Sequence, residues 1–182
     1  GTGKTSVCKS LISNNKNMKM SVSHTTRPPR DNEKNGIDYY FISNEEFYLE
    51  IKKNTFLEYA KVFGNFYGSS KLMVNELLTN KFDVLFDIDW QGASQIANSH
   101  FTNVVTFFLT PPSKSVVLKR LQKRSLETGD NSDSIEKRMM EFENEMEHID
   151  EYDYVVENDE LDKCIKQIEF IIQNEKKKIS TS

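Results

Sequence analysis

The first six residues, GTGKTS, constrain the fold more than any other stretch of the chain. They match the second half of a phosphate-binding loop, G-x-x-x-x-G-K-[ST], whose backbone N–H groups surround the phosphates of a nucleotide. Glycines let the backbone approach the anion, and the helix that follows points the positive end of its dipole at it. Lys4 is predicted to contact the phosphates, and the Thr5 hydroxyl to bind Mg²⁺. The predicted loop contacts are Gly1, Thr2, Gly3, Lys4, Thr5 and Ser6.

These six letters also fit a glycine-rich start to an ordinary helix, so the rest of the chain must decide between the two interpretations. A phosphate loop normally follows the first, central strand of a parallel sheet. Since that strand would precede the given residues, we expect an upstream apolar, β-branched segment of roughly 8–20 residues. We expect this segment to end in a glycine about five positions before Gly3.

Composition narrows the functional classes. The net charge of −4 argues against a nucleic-acid binder, because such proteins usually carry a basic face. No apolar run approaches the ~18 residues that a membrane span needs. Cys8 and Cys164 lie in apolar-periodic segments without metal-ligand spacing, which predicts reduced, buried thiols in a cytoplasmic protein.

Hydrophobic periodicity alternates between helix and strand along the chain. Helices are predicted at 4–13, 43–53, 70–80, 113–124, 133–149 and 161–172. Strands are predicted at 19–23, 39–42, 56–62, 65–67, 83–87, 104–109 and 152–156, and a polar loop at 125–133. Ser43 with Glu46 predicts a capping box, and Asp133 with Glu136 is predicted to cap the later helix.

This alternation after a phosphate loop predicts an α/β fold, with a parallel sheet flanked by helices. Residues 24–80 are expected to form an inserted α+β lobe.

Seven ordered segments carry a resemblance to a known family: GTGKT, SVSHTTRPPR, NGIDYYF, FLEYAKVFGNFYGSS, VLFDIDWQGA, LTPPS and VVEND. The chain resembles the guanylate kinases, in a form closer to bacterial than to animal members, from Gly1 to about residue 175. The resemblance implies a P-loop kinase fold in which residues 24–80 bind GMP and residues 120–138 form a short lid. The core of this single domain would then comprise residues 1–23, 81–119 and 139–182. It also implies phosphoryl transfer from ATP to GMP or dGMP, with Mg²⁺ accompanying ATP.

The resemblance assigns GMP binding to Ser23, Arg27, Arg30, Tyr39, Glu58, Tyr67, Gly68, Ser69 and Asp89. Arg27 and Arg30 lie three residues apart on a proline-stiffened segment, so both guanidinium groups can reach one dianionic phosphate. Either arginine alone is more often a solvated surface charge. The hydroxyls of Tyr39 and Tyr67 would complete the phosphate site.

Guanine differs from adenine because it presents hydrogen-bond donors at N1 and at its 2-amino group. A carboxylate accepts from both, so Glu58 is the predicted base reader. Taken alone, a glutamate at the end of an apolar strand is more often an edge charge. A hydroxyl such as Ser69 or Ser23 would serve the carbonyl side of the base.

Two acids follow the predicted strand 83–87. Asp87 closes an apolar run, as the acid does that holds Mg²⁺ in other P-loop enzymes. Asp89 would lie on the same face if the strand continued. We assign Asp87 to the metal and Asp89 to the guanine, and the sequence also allows the reverse.

The resemblance places three lid arginines at Arg120, Arg124 and Arg138. Arginines that arrive when a lid closes stabilise charge on the transferred phosphoryl group and exclude water. Arg120 and Arg124 also fit as ordinary charges one helical turn apart. With Lys4 and Arg27, these arginines are the predicted catalytic residues. Asn158 resembles the family's adenine-side contact, through its side chain or its backbone.

Two other functions fit parts of the pattern. One is a guanylate-kinase-like scaffold domain that binds phosphorylated partners, and the other is a nucleoside-monophosphate kinase of different base specificity. The retained Lys4 and lid arginines argue against the first, and Glu58 with the TTRPPR segment argues against the second. The predicted partners are therefore ATP and GMP or dGMP, without nucleic acid or membrane, in a monomer or homodimer.

Overall fold

The computed structural model describes residues 2–128 and 132–180, and it leaves the side chains of residues 124–128, 132–134 and 180 undescribed. In chain order the elements are α1 (Lys4–Asn14), β1 (Met18–Met20), β2 (His24–Thr25), β3 (Tyr40–Phe41), α2 (Asn44–Lys52), β4 (Phe56–Val62), β5 (Asn65–Ser70), α3 (Lys71–Thr79), β6 (Asp83–Leu85), α4 (Trp90–Ala97), β7 (Phe107–Thr110), α5 (Lys114–Thr128), α6 (Ser132–Glu147), a 3-10 turn (Ile149–Glu151), β8 (Tyr154–Glu157) and α7 (Leu161–Ser180). The chain divides into two units, residues 1–14 with 99–182 and residues 15–98.

The first unit joins the amino-terminal helix to the carboxyl-terminal half of the chain. Strands β7 and β8 pair in parallel, from Phe107 opposite Tyr154 to Thr110 opposite Glu157. Helix α1 packs against α7, and α5 against α6. The buried apolar residues of this unit are Val7, Cys8, Leu11, Phe108, Leu109, Val117, Leu121, Phe142, Val156, Cys164, Ile165 and Ile168.

The second unit contains two sheets. Strands β1 and β6 form a parallel pair, and β3, β2, β5 and β4 form a four-stranded mixed sheet in that order. Its core is aromatic: the Phe47 ring is completely buried and stacks on Phe56 and Phe66, with ring centroids 4.5 and 5.2 Å apart. Helix α4 packs on β4, and α3 packs on β5 and β6.

The predicted capping box and the predicted hairpin are both confirmed. The Ser43–Glu46 capping box is present: Ser43 Oγ accepts from Glu46 N at 3.1 Å, and Glu46 Oε2 from Ser43 N at 2.7 Å. The hairpin around Gly64 forms with the predicted bounds for β4 and a longer β5. Both cysteines are buried and form no disulfide with each other, as predicted. Across the described ranges, no helix combines the length and apolarity that crossing a membrane requires.

Several predicted boundaries are wrong. The apolar run 104–109 pairs only from Phe107, and the strand predicted at 83–87 ends at Leu85. The polar loop predicted at 125–133 is wrong at 125–128, which belong to helix α5 since leucine and glutamate favour helix there, and residues 129–131 lie outside the described residues. Helix α6 is described from Ser132, so the backbone of Asp133 lies within its first turn, and the predicted Asp133 cap falls on a side chain outside the described residues. Helix α4 was not predicted.

Candidate functional site

Glu58 and Ser69 face each other across the β4–β5 hairpin. The strand register shifts between Phe56 and Glu58, and Glu58 shares the buried face of β4 with Phe56 and Ala60. Its side chain is 2% exposed, and Ser69 is fully buried. Ser69 Oγ donates to Glu58 Oε1 at 2.6 Å. The hairpin therefore places a carboxylate and a hydroxyl, both predicted site residues, in direct contact.

The surroundings of Glu58 raise its pKa to about 7. Burial is the main cause because it penalises the charged carboxylate, and the charge of Asp89 adds to the effect. The hydrogen bond from Ser69 opposes it. A carboxyl group that changes its charge near neutral pH at a buried position is typical of functional sites.

Helix α4 approaches Glu58 through its first turn. A Cβ atom at Gly92 would lie 2.6 Å from Glu58 Oε2, so glycine is what permits this approach. Asp89 caps the helix: its Oδ1 accepts from Gly92 N at 3.1 Å, and its Oδ2 accepts from Gln91 Nε2 at 2.8 Å. The strand does not continue to Asp89, because the chain has left β6 and turned into α4, so the condition for Asp87 and Asp89 to share a strand face is not met.

The Arg27 guanidinium is held from several sides. Its Nη2 donates to Glu33 Oε1 and Oε2 at 2.8 and 2.9 Å, and its Nη1 donates to the Pro28 carbonyl at 2.7 Å. Its Cζ lies 5.4 Å from the Tyr39 ring centroid and 5.9 Å from that of Phe41, within cation–π range. These partners fix the orientation of Arg27.

Arg30 approaches the same carboxylate. Its backbone N–H donates to Glu33 Oε2 at 2.8 Å, and its Nη1 lies 3.6 Å from Glu33 Oε1. The structure thus brings both predicted phosphate-binding arginines together around Glu33. The two arginines hold the pKa of Glu33 below its ordinary value against the effect of burial.

Two tyrosines border this arginine pair. The Tyr39 and Tyr67 rings meet edge to face, with centroids 6.0 Å apart. Burial, together with the charge of Asp87, raises the pKa of Tyr39 to about 12. Tyr39 therefore keeps its proton at neutral pH and can donate a hydrogen bond to an anion. Asp87 itself is half-buried just beyond β6.

The two remaining predicted GMP residues have structural surroundings of their own. Ser23 is buried, and its carbonyl accepts from Tyr40 N at 2.9 Å. A Cβ at Gly68 would lie 3.1 Å from the rings of Phe47 and Phe56, so tight packing accounts for glycine at this position.

In the other unit, Asn158 braces the predicted phosphate loop. Its side chain is buried, and Nδ2 donates to the Thr2 carbonyl at 2.7 Å. Gly3 has φ of +89°, and a Cβ there would lie 2.4 Å from Asn158 Nδ2. Arg120 Nη2 donates to the Asn158 carbonyl at 3.0 Å. Asn158 therefore joins the loop to a predicted lid arginine.

The other predicted site residues of this unit differ in their surroundings. Lys4 Nζ donates to Glu145 Oε1 on α6 at 2.9 Å. Arg120 Nη1 is buried without a hydrogen-bond partner within the described part of the chain. Arg138 is half-buried on α6, and Thr5 and Ser6 are exposed in the first turn of α1. Gly1 and the side chain of Arg124 lie outside the described residues.

Comparison with known proteins identifies the family. The guanylate kinase family model matches residues 1–175. The chain is 47% identical to a guanylate kinase of Rickettsia felis over 98% of this chain and 91% of that one, and 46% identical to one of Buchnera aphidicola over 94% and 82%. A solved guanylate kinase structure, from Anaplasma phagocytophilum, superposes with a TM-score of 0.76 at 32% identity, covering 94% of this chain and 81% of that one.

The chain belongs to the guanylate kinase family. Enzymes of this family transfer a phosphoryl group from ATP to GMP. The predicted family and the predicted α/β P-loop kinase fold are both confirmed. Both of these relatives are bacterial guanylate kinases.

Sequence reasoning missed two residues of the site. The first is Glu33, which contacts both arginines. The sequence feature that could have indicated it is the three-residue spacing from Arg30 to Glu33, which forms a turn in which Glu33 N donates to the Arg30 carbonyl at 2.9 Å. Glu145 pairs with Lys4 across 141 positions of sequence, so no local pattern pointed to it. The predicted roles of individual site residues stay predictions and are developed below.

Proposed function

We propose that residues 15–98 of this guanylate kinase bind both the base and the phosphate of GMP, while the phosphate loop and the residues around it bind ATP. The buried Glu58–Ser69 pair is the observation that carries the proposal. The domain division also remains our proposal: a single domain with a GMP-binding lobe at 24–80 and a lid at 120–138.

Glu58 reads the guanine base. In its ionised form it accepts hydrogen bonds from guanine N1–H and the 2-amino group, and the Ser69 hydroxyl keeps the carboxylate in place. Adenine presents an acceptor at N1 and has no 2-amino group, so it would leave the buried carboxylate unpaired. Asp89 assists on the guanine side, and the Ser23 hydroxyl is assigned to the base carbonyl.

Arg27 and Arg30 bind the GMP phosphate. Two guanidinium groups match a dianion in both charge and hydrogen-bond geometry. Tyr39 and Tyr67 contribute hydroxyl donors, and the raised pKa of Tyr39 keeps its donor protonated. The acceptor phosphate is then held by several fixed donors, which favours transfer through positioning.

Lys4 and the backbone of Thr2 and Gly3 bind the phosphates of ATP. Phosphoryl transfer spreads negative charge over the transferred group, and fixed cations stabilise that charge. Lys4 would exchange Glu145 for the phosphates, and Arg120, Arg124 and Arg138 would supply further positive charge. Asn158 supports the ATP side by bracing the loop through Thr2, in addition to the adenine contact that the resemblance assigns to it.

Mg²⁺ is the metal we propose for this reaction, with the Thr5 hydroxyl and the Asp87 carboxylate as its protein ligands. Both are hard oxygen donors of the kind that Mg²⁺ prefers, and Mg²⁺ in nucleotide sites takes most remaining ligands from phosphates and water. No cluster of three His, Cys, Asp or Glu suited to a metal occurs in the described ranges. Bound Mg²⁺ neutralises phosphate charge during transfer.

We further propose that the enzyme acts in the cytoplasm as a monomer or homodimer, accepts dGMP as well as GMP, and binds neither nucleic acid nor membrane. The net charge of −4 supports the exclusion of nucleic acid. Light scattering during gel filtration measures the oligomeric state.

ADP release in a coupled assay tests the proposal. Release should require GMP and Mg²⁺ and should stop when EDTA is added. Lys4→Ala should lower kcat/KM by about 10²–10³-fold, the scale of losing one transition-state donor. Lys119→Ala is the matched control, because this exposed lysine lies on α5 away from the loop sequence. ADP release that is independent of GMP, or unaffected in Lys4→Ala, would refute the assignment.

A further inference from the structure

Glu33 lies at the centre of the arginine pair, yet neither the family resemblance nor the proposed chemistry uses it. Both of its carboxylate oxygens accept hydrogen bonds from Arg27 Nη2, Oε1 at 2.8 Å and Oε2 at 2.9 Å. Oε2 also accepts from Arg30 N at 2.8 Å. The side chains of Arg27 and Glu33 are only 14% and 15% exposed. This ion pair is shielded from solvent more than an ordinary surface pair.

The charges explain why such a carboxylate is needed. Two guanidinium groups held around one phosphate position repel each other before the phosphate arrives. Glu33 offsets that repulsion, and its contact with Arg27 leaves the guanidinium with one defined orientation. A binding group that is already ordered loses less conformational entropy when its ligand binds.

We propose that Glu33 is a positioning residue for the phosphate of GMP. It acts through Arg27 and the backbone of Arg30 without touching the nucleotide. This inference rests on the proposed function, because it takes the arginine pair as the GMP phosphate site.

The opposite role would be competition, in which Glu33 competes with the phosphate for the arginines. The turn geometry argues against it. Glu33 N donates to the Arg30 carbonyl at 2.9 Å while its side chain accepts from Arg30 N at 2.8 Å, so the residue is built into the turn that presents Arg30. A side chain that had to leave the arginines would also give up its hydrogen bond to Arg30 N within this turn. The two roles predict opposite signs for the effect of removing the charge.

Calorimetric titration with GMP and with guanosine distinguishes the two roles, because they predict opposite changes in the affinity for GMP. The variants are Glu33→Gln, which removes the charge at constant shape, and Glu33→Asp, which keeps the charge on a shorter stem. Asp31→Asn is the control, since Asp31 is exposed in the same segment. Measurements at pH 8 keep Glu58 ionised, because its pKa is about 7.

Glu33→Gln should weaken GMP binding about tenfold and leave guanosine binding, KM for ATP and the control unchanged. Glu33→Asp should weaken GMP binding less, by about threefold, and this variant alone decides the matter if Glu33→Gln does not fold. Unchanged or tighter GMP binding, or an equal loss for guanosine, overturns the positioning role. A wild-type enzyme that binds guanosine as tightly as GMP would instead overturn the proposed phosphate site.

Discussion

Ser69 donates a 2.6 Å hydrogen bond to Glu58 Oε1, and neither side chain is more than 2% exposed. A charged carboxylate at such a position is expensive unless it is hydrogen-bonded, so a ligand that brings two further donors should stabilise it strongly. Guanine brings two such donors. Binding of GMP and ionisation of Glu58 are therefore expected to be coupled.

This coupling predicts the pH dependence of GMP binding. The pKa of Glu58 is raised to about 7, so the carboxylate is mostly protonated below that pH and mostly ionised above it. Because the ionised form accepts from guanine, KM for GMP should rise as the pH falls through about 7. Steady-state kinetics between pH 6 and 8 measure this.

The phosphate of GMP also titrates near this range, with a second pKa of about 6. Glu58→Gln is the control, since the nucleotide is the same and only the enzyme group is lost. The difference between the two pH profiles reports Glu58. If the wild-type and variant profiles run parallel, the coupling is absent.

Ser69→Ala should shift the pH profile upward. The hydrogen bond from Ser69 lowers the pKa of Glu58, so its removal should raise that pKa and move the midpoint for KM above 7. The lost bond to a charged group should also weaken GMP binding by about 1.5–3 kcal/mol near neutral pH. Ser13→Ala, at an exposed position of α1, serves as the control. A midpoint that stays in place would show that Ser69 does not tune Glu58.

Gly3 and Asn158 should show strong energetic coupling. The Cβ that Gly3→Ala adds would lie 2.4 Å from Asn158 Nδ2, and the backbone at this position has φ of +89°. Asn158→Ala removes the 2.7 Å bond to the Thr2 carbonyl. Each change should destabilise the protein by about 1–3 kcal/mol and raise KM for ATP.

The double variant isolates the contact. Without the Asn158 side chain the added methyl group no longer collides, so the double variant should lose about 1 kcal/mol less than the two single losses together. Denaturant unfolding measures this, with Asn144→Ala on exposed α6 surface as the control. If the two losses in the free energy of unfolding were strictly additive, the two side chains would not act on one loop conformation.

Features that depend on adjacent residues could be predicted from the sequence. The Ser43–Glu46 box and the hairpin at Gly64 were correct because capping and turn chemistry act over a few positions. The family could be identified for a similar reason, since short ordered segments carry it. Residue types then pointed to Glu58 as the base reader.

Features that depend on distant packing could not be predicted. Helix α4 begins at Trp90, is capped by Asp89 and places Gly92 beside Glu58, a contact across more than thirty positions of sequence. The run 104–109 was predicted as a strand from its apolar character, but pairing with β8 covers only its end. Burial decided the pKa of Glu58, and burial is set by the whole unit.

Guanine selectivity tests the central claim most directly. ADP release should be measured with GMP, AMP, UMP and dTMP side by side, for the wild type, for Glu58→Gln and for the exposed control Glu45→Gln. We predict that the wild type and the control use GMP with at least about 10²-fold preference, and that Glu58→Gln loses about 2–4 kcal/mol of this discrimination. An unchanged kcat/KM for GMP in Glu58→Gln, or a wild type that uses AMP as well as GMP, would contradict the account.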